Sequence, residues 1–396
     1  MNRSEIRATL ALSLIYALRM LGMFMVLPVL ALYARDLPQG ATPMLIGLAI
    51  GIYGLVQASL QIPFGALSDR WGRKPVIVIG LLLFAAGSLI CALADQIEWV
   101  IVGRAVQGAG AISAAASALL ADSTRAEVRT QAMAVLGIGV GASFLLALIL
   151  GPLLAGVIGV DGIFALTGLL ALAAIAGLLW LVPTPDQVIA SDARSHADIA
   201  KVLAVPALLR LDFGIFALHA AMAALFVVVP FSLEQTLGLA TQTHWKVYLP
   251  VLGLSILPLF ALIRWSRKWE QGAMLIAIGL LSTALFAAAH WHAQVIGLLL
   301  SLWLFFVAFN YMEAALPSRI SRIAPASRKG AALGVYSSAQ FMGSFVGAMS
   351  GGWAMQNFGL SAGFTAAGIL TSVWLLVACF EAPRVPVKTT ASDLGG

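Results

Sequence analysis

The lysines and arginines of this chain lie almost entirely on one side of its hydrophobic segments. Twelve apolar runs divide the 396 residues, and 19 of the 23 Lys and Arg residues fall in segments that share one side. Arg35 and Lys246 lie on the opposite side, while Arg19 and Arg104 lie inside apolar runs. Cytoplasmic segments of membrane proteins are enriched in Lys and Arg. The pattern therefore predicts a membrane protein that crosses the bilayer an even number of times, with both termini in the cytoplasm.

The composition supports the same class of protein. Hydrophobic residues make up 61% of the chain and charged residues 10%, whereas soluble proteins carry about 25% charged residues. A crossing requires about 20 mostly apolar residues, and backbone groups in lipid must bond within their segment, so we expect helices and no strands. The predicted spans are 8–34, 43–67, 75–94, 99–121, 130–158, 163–182, 211–233, 244–263, 271–289, 293–318, 330–355 and 360–380.

Other functional classes find little support in the sequence. The net charge of +6 follows from the cytoplasmic bias, so we expect no nucleic-acid partner. Cys91 and Cys379 lie far apart in apolar runs, which argues against a disulfide or a metal site. The chain has no H-E-x-x-H, G-x-S-x-G or G-x4-G-K-[ST] string. We therefore expect neither an enzyme nor a cofactor, and an ATP-driven pump would need a separate ATPase chain.

The longest polar interruption divides the chain into two halves of six spans each. We predict an N-terminal six-helix bundle over 1–182, a cytoplasmic linker over 183–206, a second bundle over 207–382 and a cytoplasmic tail over 383–396. The string RWGRK follows the second span and RWSRK follows the eighth. Repeated membrane halves are typical of secondary transporters. The alternative is that any basic loop after a span looks similar.

The loop after the second span contains the most specific motif. Its ten residues, GALSDRWGRK, fit G-x-x-x-D-[RK]-x-G-R-[RK] at all six defined positions, which are Gly65, Asp69, Arg70, Gly72, Arg73 and Lys74. The motif resembles the signature loop of the major facilitator superfamily. That resemblance implies a conformational latch, in which Arg73 pairs with Asp122 after the fourth span and Asp69 meets the start of the eleventh span near 330–332. The alternative is an ordinary basic turn.

Two further strings are similar to the twelve-span drug:proton antiporter branch of that superfamily. They are L-G-x5-P-V at 21–29 and R-x-x-Q-G-x-G-A at 104–111, which begins at Arg104 and includes Gln107. The resemblance implies an all-α fold of two pseudo-symmetric six-helix bundles, acting as a monomer. Some similar transporters carry a soluble domain after the last span, and the end of the sequence at Gly396 leads us to expect none here.

The fifth span resembles the antiporter motif only in part. Its matching residues are Gly151, Pro152 and Gly156, whereas Ala147 and Ala155 stand where glycines are expected. This departure weakens the case for antiport, though not for transport. Small residues that allow close helix packing also recur in spans two, five and eleven, at 47 and 51, at 137 and 141, and at 343, 347 and 351. In the resembled fold spans two and eleven face each other, as do five and eight, so these glycines permit sliding; the alternative is static packing within one half.

Four ionisable residues inside the spans are candidates for a substrate cavity or for proton coupling. Such residues in a bilayer usually face a wet or paired interior. We expect Arg19 and Arg104 to make the first half of a central cavity positive, and Glu313 and His219 to add titratable groups from the second half. The alternatives are a structural pair of Glu313 with Arg319 and a plain interhelical hydrogen bond for His219. Neutral polar candidates for the same cavity are Tyr53, Gln57, Gln107 and Asn310.

The function that this sequence predicts is secondary active transport. We expect proton-coupled efflux of a small molecule or drug by alternating access, in the inner membrane of a bacterium. A uniporter or a proton symporter of a small metabolite on the same fold is the alternative. The expected partners are a small-molecule substrate, protons and the lipid bilayer.

Overall fold

The chain is helical throughout its described parts. The computed structural model describes residues 1–182, 196–325 and 328–380, and these contain no strand. A short 3-10 turn lies at Thr241–Thr243. The helices are α1 (Arg3–Arg35), α2 (Pro43–Trp71), α3 (Arg73–Ala92), α4 (Ile97–Ala109), α5 (Ser113–Asp122), α6 (Ala126–Leu181), α7 (His196–Leu203), α8 (Pro206–Leu237), α9 (Trp245–Ser266), α10 (Glu270–Trp291), α11 (Val295–Ile323), α12 (Lys329–Phe358) and α13 (Leu360–Cys379).

Twelve crossings emerge from these helices. Ten stretches have the length and hydropathy of a membrane span, with α4 and α5 forming one of them. Helix α6 has 56 residues, about 84 Å at 1.5 Å per residue, and Gly159 breaks it with a φ of 71°, so it supplies two crossings. Helix α12, rich in glycine and serine, is the remaining one. The predicted all-α fold of twelve spans is confirmed.

Two features differ from the predicted spans. The fourth span is broken, because residues between α4 and α5 leave the helical conformation at Gly110, with φ −72° and ψ 50°. The predicted linker contains the short helix α7. Residues 183–195 of that linker and the predicted tail at 383–396 lie outside the described residues. The boundaries of the predicted domains therefore stay predictions.

The two halves meet along three pairs of helices. Within the first half α1 and α3 pack on α6, and within the second α8 packs on α12 and α10 on α13. The contacts between the halves are α2 with α12, α1 with α8 and α6 with α9. The pairing of α2 with α12 and of α6 with α9 agrees with the expected neighbours, spans two and eleven and spans five and eight.

Glycines permit close approach at some of these contacts and not at others. A Cβ at Gly47 would overlap the carbonyl of Ala348, so α2 and α12 touch through their backbones. A Cβ at Gly347 would overlap the carbonyl of Ala220, which lies in α8 of the same half. Nothing lies within 4 Å of a Cβ at Gly141. The sliding role expected for the glycines of spans five and eleven is therefore wrong in this conformation: span eleven uses them for packing within its half, and span five does not use them.

The bundle has two distinct ends. We call the end that carries Arg73, Arg125 and Arg322 the basic face, and the end that carries Arg35 and Glu234 the far face. At the far face the halves are joined by Arg35 Nη2 and Glu234 Oε1 at 3.0 Å and by the Met44 amide and Gln356 Oε1 at 3.2 Å.

Between the far face and mid-depth the last hydrogen bond joining the halves runs from Ser338 Oγ to Ala58 O, at 3.3 Å. From there to the basic face, the described residues show no hydrogen bond or ion pair between α2 and α12. A Cβ at Gly334, one turn from Ser338 toward that face, would meet nothing within 4 Å. The seam between the halves is thus closed at the far face and open at the basic face.

Replacing Gly347 by alanine should destabilise the protein. The added methyl group meets the rigid backbone of Ala220, and such overpacking costs about 1–3 kcal/mol. We expect a lower Tm of purified Gly347→Ala, measured by intrinsic fluorescence. The control is Gly141→Ala, which enters open space and gains helix propensity. An unchanged Tm in Gly347→Ala would contradict the packing described here.

Candidate functional site

Arg73 ties three helices together at the basic face. Gly72, with φ 93°, forms the sharp junction between α2 and α3 and so directs Arg73 back toward the bundle. Its Nε lies 3.1 Å from Asp122 Oδ2 at the end of α5, and Nη1 donates to Ser68 Oγ at 2.8 Å. The side chains of Arg73 and Asp122 are only 5% and 4% exposed. The structure thus brings together the predicted latch pair and adds Ser68, which the motif does not specify.

Asp69 contacts Arg73 and not α12. Its carboxylate accepts a hydrogen bond from Arg73 Nη1, and within the described residues it has no bond to the N-terminus of α12. The predicted contact with the eleventh span is therefore absent in this conformation, because the seam is open at this end.

The remaining residues of the motif loop have local roles. Gly65 accepts a hydrogen bond from Ser68 Oγ at 2.8 Å. Lys74 Nζ donates to Val182 O at 2.7 Å and joins α3 to the end of α6. Arg70 lies exposed on the basic face.

Arg125 makes a second ionic contact at this face. It donates to Glu5 Oε1 through Nε at 2.8 Å, which fastens the start of α1 to the turn before α6. The side-chain hydrogen bond and the negative charge of Glu5 raise the pKa of Arg125. The sequence analysis did not identify this pair, since nothing in the local sequence around either residue indicates the other.

Arg19 is fully buried between α1, α2 and the break in the fourth span. Its Nη2 donates to Tyr53 Oη at 2.9 Å, Gln57 Oε1 at 3.1 Å and Gly110 O at 2.8 Å. The guanidinium also lies 5.1 Å from the ring centroid of Phe84. The non-helical turn at Gly110 leaves its carbonyl without a helical partner, so the break in the span supplies an acceptor for the buried cation.

Arg104 shares this cluster. Its guanidinium lies 4.9 Å from the centroid of the Tyr53 ring, and Nη1 donates to Gln107 Oε1 at 2.7 Å. Gln107 in turn donates to Ser88 Oγ at 2.7 Å. The predicted polar residues of the first half are therefore neighbours, but Arg19 and Arg104 are 0% and 1% exposed. The expectation that they line a cavity is wrong in this conformation, because neutral oxygens and aromatic rings enclose them.

The titratable residues of the second half form a separate cluster. His219 Nε2 on α8 lies 3.0 Å from Glu313 Oε2 on α11 and 2.8 Å from Gln340 Nε2 on α12. The side chain of Glu313 is 41% exposed and that of His219 19%. Sequence reasoning proposed His219 and Glu313 separately and missed Gln340, since only the packing of three helices brings them together.

The alternative partner for Glu313 has other contacts. Arg319 Nη1 donates to Gln271 Oε1 at 2.8 Å and lies 3.0 Å from Met274 Sδ. The alternative of a Glu313–Arg319 pair is therefore wrong. Asn310 Nδ2 donates to Ser255 Oγ at 3.0 Å and joins α11 to α9, so it is not part of the His219 cluster.

The partial antiporter motif lies at helix contacts. A Cβ at Gly151 would overlap the carbonyl of Met25, so α6 and α1 pack tightly there, with Pro152 next in the helix. A Cβ at Gly156 would lie 2.9 Å from Gln242 Cβ in the second half. Gly151 therefore serves packing within the first half, and Gly156 lies where the halves meet.

Removing the charge of Asp122 should strongly destabilise the protein. Asp122→Asn leaves the buried Arg73 with only Asp69 as an ionic partner, and breaking a buried pair costs about 3–5 kcal/mol. The matched control is Glu270→Gln, because Glu270 pairs with Arg322 at the same face but the two side chains are 38% and 57% exposed. Exposed pairs contribute about 0–1 kcal/mol. Equal Tm values for the two variants would contradict the latch geometry.

Comparison with known proteins agrees with this geometry. The Major Facilitator Superfamily model matches residues 12–240 and 211–394. Inner membrane transport protein YajR of Escherichia coli (strain K12) is 46% identical over 383 residues, covering 96% of this chain and 84% of YajR. Multidrug resistance protein MdtH of Yersinia enterocolitica is 26% identical over 342 residues, covering 84% of this chain and 83% of MdtH.

A solved structure shows the same fold. A bacterial homologue of the human lysosomal transporter Spinster, in an inward-facing and occupied conformation, has a TM-score of 0.78 at 16% identity and covers 96% of this chain and 97% of its own. The chain therefore belongs to the Major Facilitator Superfamily and is a multi-pass membrane transporter, not an enzyme.

Proposed function

We propose that this chain is a proton-coupled antiporter that exports a small molecule from the bacterial cytoplasm by alternating access. The observation that carries this proposal is the cluster of His219, Glu313 and Gln340, in which one ring nitrogen lies within hydrogen-bonding distance of both a carboxylate and an amide nitrogen. Ionisable residues inside a membrane are expensive and mark ion or substrate pathways.

The contacts of His219 Nε2 can be satisfied by two different distributions of protons. If Nε2 carries a proton, it donates to an ionised Glu313 and cannot accept from Gln340. If Nε2 is bare, it accepts from Gln340, and Glu313 then has to supply the proton in its own contact with the ring. A cluster that is compatible with both arrangements suits a site that binds and releases a proton during transport.

The conformation gives this cluster a route to one side. Glu313 is partly exposed, and the seam is open at the basic face and closed at the far face by Arg35 and Glu234. We assign the basic face to the cytoplasm, because Lys and Arg are enriched in cytoplasmic segments. In this state a proton or a cargo molecule would reach the cluster from the cytoplasm.

The latch residues would act in the opposite state. We propose that Asp69 moves toward the positive N-terminus of α12 when the cytoplasmic side closes, while Arg73 and Asp122 stay paired and keep α3 and α5 rigid. The buried Arg19 and Arg104 would hold α1, α2 and α4 as one unit during this movement.

The relatives support efflux and location. MdtH is named a multidrug resistance protein and YajR an inner membrane transport protein. We accordingly place this chain in the bacterial inner membrane as a monomer with both termini in the cytoplasm, and we propose a drug or a similar small molecule as cargo.

Proton coupling can be tested with purified protein in liposomes that contain a pH-sensitive dye. A panel of antibiotics is screened for compounds whose addition drives proton movement. We expect protons and cargo to move in opposite directions, and we expect Glu313→Gln to reduce proton movement to the level of empty liposomes. Glu270→Gln, the same chemical change at an exposed pair, should leave it unchanged.

The same measurement separates the alternatives. Protons and cargo moving in the same direction would indicate a symporter, and cargo movement without protons would indicate a uniporter. Unchanged proton movement in Glu313→Gln would exclude this carboxylate as the proton carrier.

A further inference from the structure

A lateral groove near the basic face contains a carboxylate that no described contact explains. The groove lies among α2, α7, α8 and α12, has a volume of about 600 Å³ and is lined by Asp212 of α8. Asp212 is 6% exposed, and neither of its carboxylate oxygens has a hydrogen-bond partner within the described residues. The sequence analysis did not single this residue out.

The rest of the groove is apolar and aromatic. Phe213 and Phe216 line it with rings stacked at a centroid distance of 6.2 Å and an interplanar angle of 17°. The opposite wall is formed by Ala58 of α2 and by Ala339 and Met342 of α12. Its volume is in the range of small-molecule sites, which are apolar with few polar groups.

The groove opens toward lipid. Ala339 and Met342 belong to a stripe on α12 that continues at helical spacing to Val346 and Trp353, which are 37% and 50% exposed. At the level of Trp353 the halves are in contact, since a Cβ at the adjacent Gly352 would overlap the carbonyl of Pro43. The stripe therefore points away from the seam and outward, into the bilayer.

Charge complementarity identifies the kind of occupant. An ionised carboxylate that is buried without a partner is costly, and an opposite charge with hydrogen-bond donors compensates it. Aromatic faces attract a cation as well, while the apolar walls require an apolar body. We propose that this groove binds a small lipophilic cation, an alkyl- or arylammonium that reaches it from the lipid, with its nitrogen at Asp212 and its apolar part along Phe213 and Phe216.

This site is distinct from the proposed proton cluster. Glu313, His219 and Gln340 do not line the groove. The binding proposal therefore stands whether or not transport is coupled to protons, and Glu313→Gln serves as a variant that alters only the other site.

The experiment compares three ligands that share one chain and differ in charge. Purified full-length protein in detergent is titrated with decylammonium, decanol or decanoate, and the Tm is measured, because a ligand that binds the folded state raises it. We expect a saturable increase in Tm with decylammonium alone. Equal increases with decanol or decanoate would overturn the proposal.

Variants locate the binding. Asp212→Asn should raise the half-saturating concentration of decylammonium about tenfold or more, as loss of a charged hydrogen bond predicts. Ala339→Trp fills the groove, keeps the carboxylate and should also abolish the effect, so a poorly folding Asp212→Asn does not prevent the test. Glu313→Gln should behave as wild type. An unchanged response in Ala339→Trp or in a folded Asp212→Asn would place the binding elsewhere and refute the site.

A lipid headgroup offers the same ammonium chemistry. The titration is therefore repeated in nanodiscs of phosphatidylcholine, with and without phosphatidylethanolamine. Equal responses in both would support a small cation as the occupant. Loss of the decylammonium response in wild type when phosphatidylethanolamine is present would show that the lipid fills the groove and would overturn the assignment.

Discussion

A charge within the bilayer has to find its compensation inside the protein, and this constraint accounts for most of the polar architecture. Arg73 meets it with the opposite charges of Asp122 and Asp69. Arg19 meets it with three neutral oxygens and an aromatic ring. Glu313 has His219 as its partner, and Asp212 has none within the described residues. The groups fall in order from rigidly compensated to uncompensated, and the less compensated ones are those that suit exchange with a proton or a ligand.

The two halves use the same positions for ion pairs of different strength. Arg73 at the start of α3 pairs with Asp122 at the end of α5, and Glu270 at the start of α10 pairs with Arg322 near the end of α11. The positions correspond in the two halves, but the charges are exchanged and the second pair is exposed. The repeated strings RWGRK and RWSRK reflect this pseudo-symmetry in the sequence. Burial of the first pair makes the first half the more rigid side at the basic face, while the exposed pair leaves the second half freer to adjust.

The sequence predicted what depends on the bilayer and missed what depends on packing between distant segments. Span positions follow from hydrophobic thickness, and the Arg73–Asp122 contact follows from the motif loop. The break at Gly110, however, is stabilised by Arg19, 91 positions away, and the packing of Gly347 against Ala220 depends on which helices become neighbours. Gln340 joins His219 for the same reason. Local patterns therefore identified the ionisable residues correctly but could not assign their partners or their burial.

Alternating access requires the seams at the two faces to exchange, and the ion pairs show where the energy of that exchange resides. The far face is held by Arg35 and Glu234 across the halves, whereas Asp69 at the basic face is held by Arg73 within one half. Opening the far face therefore breaks an ionic contact between halves, and closing the basic face has to replace it. Asp69 at the N-terminus of α12 would provide that replacement, since a helix N-terminus stabilises a nearby carboxylate by about 0.3–1 kcal/mol. So small a gain leaves the two states close in free energy, and protonation of one carboxylate is then enough to shift the balance between them.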